Sequence, residues 1–412
     1  MRALLAFLLL GGSVVAHAAD QALLSAAKAA QPAVVETLKG MVAIESGSTN
    51  LAGLARMADY VEGRLKAAGA QTERIKVTRG PGAAIVKAIF TGKGRMRILM
   101  LGHMDTVYLE GILASQPYRQ DGNRLYGPGI ADDKGGLAVI LHSLEILKAA
   151  GWRDYAQLTV LINPDEEIGS VGSGELIAKL ASEHDVVLSC EPTPAKAVFK
   201  QEALLLGASG TGLVTMEVLG RQSHAGAAPD EGRNALIELS HQILQTRDVA
   251  KGVPGTQLNW TASTAGLVRN QIPEKAVVTG DMRLYANNRD ADKLLAALRA
   301  KVAESQLVPD TKTTISMTVG RPPFAGDERT KELARKAQAI YAELDGRPLM
   351  LIPSTGGGTD AGYASLSGRA VVLESFGLAG WGYHARDEYI EIDSIVPRLY
   401  LMTRILMELG KS

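Results

Sequence analysis

The sequence predicts an α/β fold in which helices cover both faces of a sheet and a small ferredoxin-like α+β domain is inserted into the chain. Three observations lead to this prediction. Short apolar segments alternate with helix-like ones up to about residue 208, the order then becomes β-α-β-β-α-β, and the first pattern resumes after Arg321-Pro322-Pro323. Because 412 residues are too many for one compact core, two domains are expected.

The elements before residue 208 are predicted from the spacing of their apolar residues. Short apolar runs indicate buried strands, and apolar residues at helical spacing indicate helices. The predicted strands are Ala83–Phe90, Arg97–Leu101, Leu158–Ile162 and Asp185–Ser189, and the predicted helices are Pro32–Ile44, Gly53–Ala68, one that follows Asp133 and one that starts at Ser173.

Residues 209–322 are predicted to form the inserted domain. Its elements are the strand Gly212–Leu219, the helix Asn234–Thr246, the strands Thr256–Gly266 and Ala276–Tyr285, the helix Asp290–Ala303 and the strand Thr313–Thr318. The helix Arg329–Leu344, the strand Ala370–Glu374 and the helix Asp393–Leu409 follow. The large domain therefore comprises residues 20–208 and 323–412.

Residues 1–18 are predicted to be a signal peptide. Met1-Arg2 precede the apolar run Ala3–Leu10, and Ala16-His17-Ala18 matches the A-x-A pattern, which predicts cleavage near Ala18 or Ala19. The run is shorter than the roughly 20 residues that span a bilayer. We therefore expect a Sec-type signal, export to the periplasm and no association with a membrane.

The charge balance argues against a nucleic-acid partner. Lys and Arg together number 44, as do Asp and Glu, and no block of like charge stands out. Cys190 is the single cysteine, so an intrachain disulfide is excluded.

Acidic residues or histidine follow successive predicted strands. His103 follows Arg97–Leu101, Asp165-Glu166-Glu167 follows Leu158–Ile162, and Glu191 follows Asp185–Ser189. Asp132 lies just before a predicted helix, where exposed N–H groups favour an ionised carboxylate. One such residue is typical of a loop or a helix cap, but their recurrence at strand ends indicates a cation site.

The sequence around each histidine indicates whether it lies on the surface or in a functional loop. His184 precedes a strand, at the end opposite to the acidic residues, and is expected on the surface. His103, His224 and His384 lie in glycine-rich or turn segments that are typical of functional loops.

Five ordered motifs resemble a known family, the co-catalytic di-zinc metallopeptidases of the aminoacylase and glutamate carboxypeptidase family. The motifs are His103-Met104-Asp105-Thr106, Gly129-Ile130-Ala131-Asp132-Asp133-Lys134-Gly135-Gly136, Asp165-Glu166-Glu167, Glu191-Pro192-Thr193 and Gly382-Tyr383-His384. Within the family the chain looks most like the bacterial glutamate carboxypeptidases of carboxypeptidase G type, which cleave folates and antifolates. The resemblance covers essentially the whole mature chain. It implies a di-zinc exopeptidase-like catalytic domain, with a central mixed sheet covered by helices, and an inserted ferredoxin-like dimerisation domain.

The resemblance implies two zinc ions per subunit, with Asp132 bridging them. His103 and Glu191 would complete one ion, and Glu167 and His384 the other. Imidazole and carboxylate groups are ligands that suit zinc.

The resemblance also implies roles beside the metals. Asp105 would accept a hydrogen bond from the imidazole of His103 and fix its tautomer. Glu166 would be the general base, taking a proton from a zinc-bridging water and returning it to the leaving amine. The Asp132-Asp133 peptide bond is expected to be cis.

In the inserted domain, His224 of one subunit would reach into the partner's active site and stabilise the oxyanion, which implies a homodimer through this domain. Arg283 and Arg321 resemble binders of substrate carboxylates, although a surface ion pair or a pair at an interface is an alternative for Arg283. Asn270 and the loop that contains Gly357, Gly358 and Thr359 would lie close to the substrate.

The preferred function is a zinc carboxypeptidase that releases C-terminal glutamate from N-acyl, peptidyl or pteroyl glutamates. An N-acyl amino acid deacylase, desuccinylase or dipeptidase with the same metal site is the alternative. An inactive relative kept as a binding protein is disfavoured, since every ligand and the base are present.

Overall fold

A computed structural model describes residues 18–77, 79–80 and 82–411. The predicted signal peptide, except Ala18, lies outside the described residues. Among those that are described, no helix combines the length and the apolar character needed to cross a bilayer.

The helices and strands are numbered in chain order. The α-helices α1 to α10 are Gln21–Val42, Leu51–Ala68, Lys134–Ala149, Gly174–Ser182, Lys196–Phe199, Ala235–Thr246, Arg289–Val302, Glu328–Ala342, Ala361–Ser365 and Ile395–Gly410. The strands β1 to β21 are Gln71–Lys76, Ala84–Thr91, Arg97–His103, Arg119–Asp121, Arg124–Tyr126, Gln157–Asn163, Val186–Ser189, Thr193–Pro194, Glu202–Leu205, Gly207–Ala208, Gly210–Leu219, Ser223–His224, Thr256–Ala265, Gln271–Ile272, Lys275–Leu284, Lys312–Val319, Phe324–Ala325, Leu349–Ile352, Val371–Leu373, Ala379–Trp381 and Tyr389–Glu391.

The central sheet has six strands in the order β1-β2-β6-β3-β7-β19. The pairs β1/β2 and β2/β6 are antiparallel, whereas β6, β3, β7 and β19 are parallel neighbours. The sheet is therefore mixed, as expected, and the carboxyl ends of β6, β3 and β7 lie side by side.

Helices cover both faces of this sheet. In β3, Ile98 and Met100 pack into a core with α1, α2, α3 and α10, whereas Leu99 and Leu101 pack on the opposite face with α4 and α9. Alternate side chains of a strand point to opposite faces, so an uninterrupted apolar run fits a sheet that is buried on both sides.

The inserted segment forms a separate antiparallel sheet in the order β13-β15-β11-β16, with its own apolar core that includes residues of α6 and α7. This strand order, combined with the chain order β-α-β-β-α-β, is the ferredoxin-like arrangement. The predicted fold class is confirmed.

Some expectations were wrong in detail. The first helix begins at Gln21, not at Pro32, because Asp20 caps its N-terminus and Pro32 lies inside it. His184 is buried rather than on the surface. Its imidazole contacts Thr159 Oγ1 at 2.8 Å and the main-chain oxygen of Leu180 at 2.6 Å.

Candidate active site

Three parallel strands bring three of the predicted ligands and the predicted base to one edge of the central sheet. His103 is the last residue of β3 and lies opposite Asn163, the last residue of β6. Glu166 and Glu167 begin the short helix that follows β6, and Glu191 follows β7. Since these strands are neighbours and point the same way, the side chains converge.

Asp132 lies between two histidines. His103 Nε2 is 3.0 Å from Asp132 Oδ1, and His384 Nε2 is 3.4 Å from Oδ2. His103 Nε2 is also 3.7 Å from Glu191 Oε1, and His384 Nε2 is 3.1 Å from Glu167 Oε2. Each carboxylate oxygen of Asp132 therefore faces a different histidine and a different glutamate.

These contacts define two groups that could each hold a metal ion. One is His103, Asp132 and Glu191, the other is Asp132, Glu167 and His384, and within each group the ligand atoms lie within 4.8 Å of one another. Imidazole nitrogens combined with carboxylate oxygens suit zinc. The residues therefore fit the expected metal, and Asp132 is shared as expected.

Carboxyl groups crowd the cleft around Asp132. Burial raises the pKa of Glu191 well above its ordinary value, and the charges of Asp132 and Glu166 raise it further. Burial also raises the pKa of Glu167, against the hydrogen bond to His384. A buried set of acids that repel one another is stabilised by a bound cation.

The acidic groups of the cleft raise the pKa values of both histidines. Hydrogen bonds to Asp132 and Glu167 raise the pKa of His384 to about 10. Burial alone would lower the pKa of His103, but its contacts with Asp105, Asp132 and other acids outweigh burial and raise it. A metal ion binds neutral imidazole, so its binding releases protons from this cluster.

Asp105 organises both the histidine and the acidic loop. His103 Nδ1 lies 3.1 Å from the main-chain oxygen of Asp105 and 3.3 Å from its carboxylate. The same carboxylate accepts hydrogen bonds from the N–H groups of Glu166 and Glu167, each at 3.1 Å, and from the hydroxyl of Ser48 at 2.8 Å. Asp105 is fully buried, so its role extends beyond the contact with His103 that the sequence predicted.

Glu166, the predicted base, is buried and forms an ion pair with Arg321. Burial raises the pKa of Glu166 to about 8, although the positive charge of Arg321 opposes this rise. Arg321 also donates to the main-chain oxygens of Glu166 and Gly358. The residue expected to bind a substrate carboxylate thus contacts the expected base directly.

A cleft of about 710 Å³ joins the ligand groups to the inserted domain. Thr211 and Arg283 line it from the small sheet, and the segment 355–359 lines it from the large domain. Its volume suits a small ligand such as a dipeptide or an acylated amino acid.

The cleft contains the other predicted substrate-binding residues except one. Arg283 is paired with Asp281 and donates to the main-chain oxygen of Gly356 at 3.2 Å. Gly357, Gly358 and Thr359 line the cleft as well. Arg283 therefore forms a partly exposed ion pair and also lines the cleft, so its position fits both the surface-pair alternative and a role in substrate binding.

His224 and Asn270 lie together, and neither is among the residues that line this cleft. The N–H of Ala225, next to His224, donates to the main-chain oxygen of Asn270 at 2.9 Å. His224 is exposed, and its Nδ1 accepts hydrogen bonds from the N–H groups of Gly226 and Ala227 at 3.1 and 3.0 Å. Within one subunit, the structure does not bring this pair into the site.

The sequence interpretation missed some residues at the site. Tyr383 lines the cleft beside His384, and Ser375 lines it after β19. Glu388 accepts hydrogen bonds from the loop that carries Asp132. Only the position of Glu388, an acid four residues after a ligand histidine, could have drawn attention to it. The Asp132-Asp133 peptide bond is cis, as expected.

The fold and the paired ligand groups define a metallopeptidase, and comparisons with known proteins give the family. The profile described as peptidase family M20/M25/M40 matches residues 99–408. Carboxypeptidase G2 of Pseudomonas sp. (strain RS-16) is 44% identical over 99% of this chain and 97% of its own length. The chain therefore belongs to peptidase family M20/M25/M40 and is a zinc metallopeptidase.

The chain is also similar to a desuccinylase and to a metallo-carboxypeptidase of known structure. Succinyl-diaminopimelate desuccinylase of Stenotrophomonas maltophilia (strain R551-3) is 30% identical over 84% of this chain and 92% of its own. The crystal structure of the M20 family metallo-carboxypeptidase Sso-CP2 from Sulfolobus solfataricus matches with a TM-score of 0.74 and 18% identity, over 92% of this chain and 99% of that one. At that identity the structural match supports the fold.

Proposed function

We propose that the protein is a glutamate carboxypeptidase, which hydrolyses the amide bond to a C-terminal glutamate in N-acyl, peptidyl or pteroyl glutamates. The observation that carries the proposal is the placement of Arg283 and Arg321 in the same cleft as the two ligand groups. A C-terminal glutamate has two carboxylates, and guanidinium groups are the side chains that suit carboxylates best. The 44% identity to carboxypeptidase G2 supports this activity.

We propose that two zinc ions bind, one at each ligand group, with Asp132 shared. When bound, zinc supplies a nucleophile of lowered pKa and polarises the scissile carbonyl. The pairing of each Asp132 oxygen with a different histidine supports the count of two.

Glu166 is the proton acceptor in this proposal. Arg321 binds its Oε1, so we assign proton transfer to Oε2, which takes the proton of the attacking water and then delivers it to the leaving amine. Asp105 holds Glu166 in place by accepting a hydrogen bond from its main-chain N–H group.

We also propose a homodimer in which His224 completes the partner's site. Nδ1 of His224 accepts two N–H groups, so the neutral imidazole carries its proton on Nε2, where it can donate to an oxyanion. The helix α6 exposes Leu236, Ile237 and Leu244, an apolar surface that a partner subunit can cover.

We also propose that the protein is exported to the periplasm, which the sequence of residues 1–18 supports. N-terminal sequencing of the protein from a periplasmic fraction tests it.

The experiment that tests the function is glutamate release from p-aminobenzoyl-glutamate and folate, with and without a chelator. We expect chelator-sensitive release, and much slower hydrolysis of p-aminobenzoyl-alanine, which lacks the second carboxylate. N-succinyl-diaminopimelate and simple dipeptides serve as comparison substrates. Zinc-containing protein that hydrolyses these but not the glutamates would overturn the substrate proposal and leave the metal site intact.

A further inference from the structure

One carboxylate, that of Glu388, receives hydrogen bonds from four donors. Its Oε1 accepts from the N–H groups of Ala131 and Asp132 at 2.8 and 2.9 Å. Its Oε2 accepts from the N–H of Gly129 at 2.8 Å and from the hydroxyl of Tyr108 at 2.7 Å. Only 1% of Glu388 is exposed, so water contributes little to the solvation of this group.

The donors belong to segments that carry metal ligands. Tyr108 lies five residues after His103, and the N–H donors are on the loop that ends in Asp132. Glu388 itself lies four residues after His384, and Tyr108 also donates to the main-chain oxygen of Ala385 at 2.8 Å. A single side chain therefore joins three of the ligand-bearing segments.

Hydrogen bonds, rather than a direct ion pair, offset part of the cost of burying this carboxylate, and burial still raises the pKa of Glu388 to about 7. Within the described ranges, no Lys, Arg or His forms an ion pair with Glu388. The ammonium of Lys134 instead donates to main-chain oxygens of Ile44 and Pro128. Burying a charge is expensive unless it is hydrogen-bonded, and the four donors reduce that cost.

The two histidines depend on these attachments to different degrees. His103 is 1% exposed and is fixed by β3 and by Asp105. The side chain of His384 is 54% exposed and its φ is +59°, so packing around the imidazole does little to hold it. The hydroxyl of Tyr383 and the pairing of β20 with β21 hold the loop of His384 to neighbouring strands, and Glu388 connects that loop to the loop of Asp132.

We propose that Glu388 is a positioning residue. It holds Asp132 and His384 close enough together for the group Asp132, Glu167 and His384 to bind a zinc ion. This inference rests on the proposed two-ion site. Without Glu388, the group Asp132, Glu167 and His384 should lose affinity for zinc, whereas the group with His103 and Glu191 should be affected less, because His103 has its own support.

Glu388→Gln tests the proposal. The glutamine keeps the size of the side chain but turns an NH₂ group toward two of the four donors. At least one main-chain N–H then faces a donor instead of an acceptor, since only the hydroxyl of Tyr108 can accept from the NH₂ group. We expect one of two zinc ions to bind about 10–100-fold more weakly, as is typical when a partner of a metal ligand is changed. The measurement titrates metal-free protein with Zn²⁺ alone against a chromophoric chelator, which needs no substrate.

Two further variants separate positioning from general damage. Tyr108→Phe removes one donor and leaves three, so we expect a smaller loss at the same ion. Glu391→Gln is the matched control, because Glu391 is also buried and accepts from two N–H groups, those of Lys196 and Ala197, which belong to neither ligand group. We expect Glu391→Gln to bind both ions as the wild type does, and added zinc to restore turnover in Glu388→Gln.

The outcomes are distinguishable. If wild type binds two ions and Glu388→Gln binds both with unchanged affinity, this inference is wrong and the proposed function stands. Equal weakening of both ions in Glu388→Gln and Glu391→Gln would also overturn it, since that result indicates a structural defect. A wild-type protein that binds fewer than two ions would contradict the proposed two-ion site itself. If Glu388→Gln does not fold, Tyr108→Phe is the test, and unchanged affinity for both ions in that variant overturns the inference.

Discussion

Arg321 and Glu166 form an ion pair in which only 6% and 7% of the two side chains are exposed. Arg321 follows the last strand of the inserted sheet, and Glu166 follows β6 of the central sheet. The pair therefore connects the inserted domain to the proposed base. A substitution of either residue changes the surroundings of the other, and the two must be tested together.

Glu166→Gln is expected to lower kcat about 10²–10⁴-fold, because an amide cannot accept the proton that a general base takes. Zinc content should stay unchanged, since Glu166 is in neither ligand group. Steady-state kinetics and metal analysis on one preparation check this. Near-normal turnover would remove Glu166 from the role.

Arg283→Ala and Arg321→Ala are expected to differ in stability. Arg283 forms a partly exposed pair with Asp281, so its loss should cost only about 0–1 kcal/mol in the free energy of unfolding. Loss of Arg321 leaves buried Glu166 without a counter-ion, which typically costs about 3–5 kcal/mol.

Arg283→Ala should raise KM for glutamate-terminated substrates about 10–100-fold, the effect of losing a hydrogen bond to a charged group. Arg321→Ala should lower kcat as well, because Arg321 contacts the proposed base. Denaturant unfolding and kinetics on the two variants check the pair of predictions. Unchanged KM in Arg283→Ala would favour the surface-pair interpretation of that residue.

Much of this site could be predicted because its residues follow strands. Apolar runs give the strands, neighbouring parallel strands end at one edge, and so His103, Glu167 and Glu191 could be expected together. The structure brings all of the predicted ligands into the two groups around Asp132.

The contacts between distant residues could not be predicted in the same way. Nothing in the local pattern indicates that Arg321 pairs with Glu166, or that Glu388 binds the loop of Asp132, because each contact depends on how separate segments pack. His184 illustrates the same limit. Its neighbours in sequence are polar, but the packing of α4 against the sheet buries its imidazole. Thr159 of β6 and Leu180 of α4 are its hydrogen-bond partners.

Glu62, which does not line the cleft, should make stability depend on pH. Hydrogen bonds from Lys66, Thr72 and Arg74 lower its pKa from 4.5 to about 2, despite partial burial. A lowered pKa in the folded state means that the stabilisation is present above pH 4.5 and is lost as pH falls toward 2.

Glu62→Gln should therefore lower the free energy of unfolding by about 1 kcal/mol at pH 7, with the difference shrinking below pH 4.5. Melting curves of metal-free protein from pH 3 to 7 measure it. Glu36→Gln is the control, because among the described residues the carboxylate of Glu36 forms only an exposed ion pair with Lys39. A difference for Glu62→Gln that is constant over this range would contradict the assignment.

Charges placed on α6 should dissociate the proposed dimer. Ile237→Glu combined with Leu244→Glu puts two carboxylates on exposed apolar positions, where burial by a partner would then be costly. We expect a monomer by light scattering, with activity reduced because His224 no longer reaches a partner's cleft. A monomer of full activity would contradict the proposed role of His224, and an unchanged dimer would exclude this face as the interface.

The chain enters and leaves the inserted domain through adjacent strands, since Gly207 pairs with Ala325 and Ala208 with Phe324. For the large domain, the insert is a loop to be closed during folding, and an unfolded loop costs more entropy the longer it is. An insert that has already folded holds its ends side by side and removes most of that cost. We therefore expect the four-stranded sheet to form first, so that in pulse-labelling hydrogen exchange its amides gain protection before those of the six-stranded sheet.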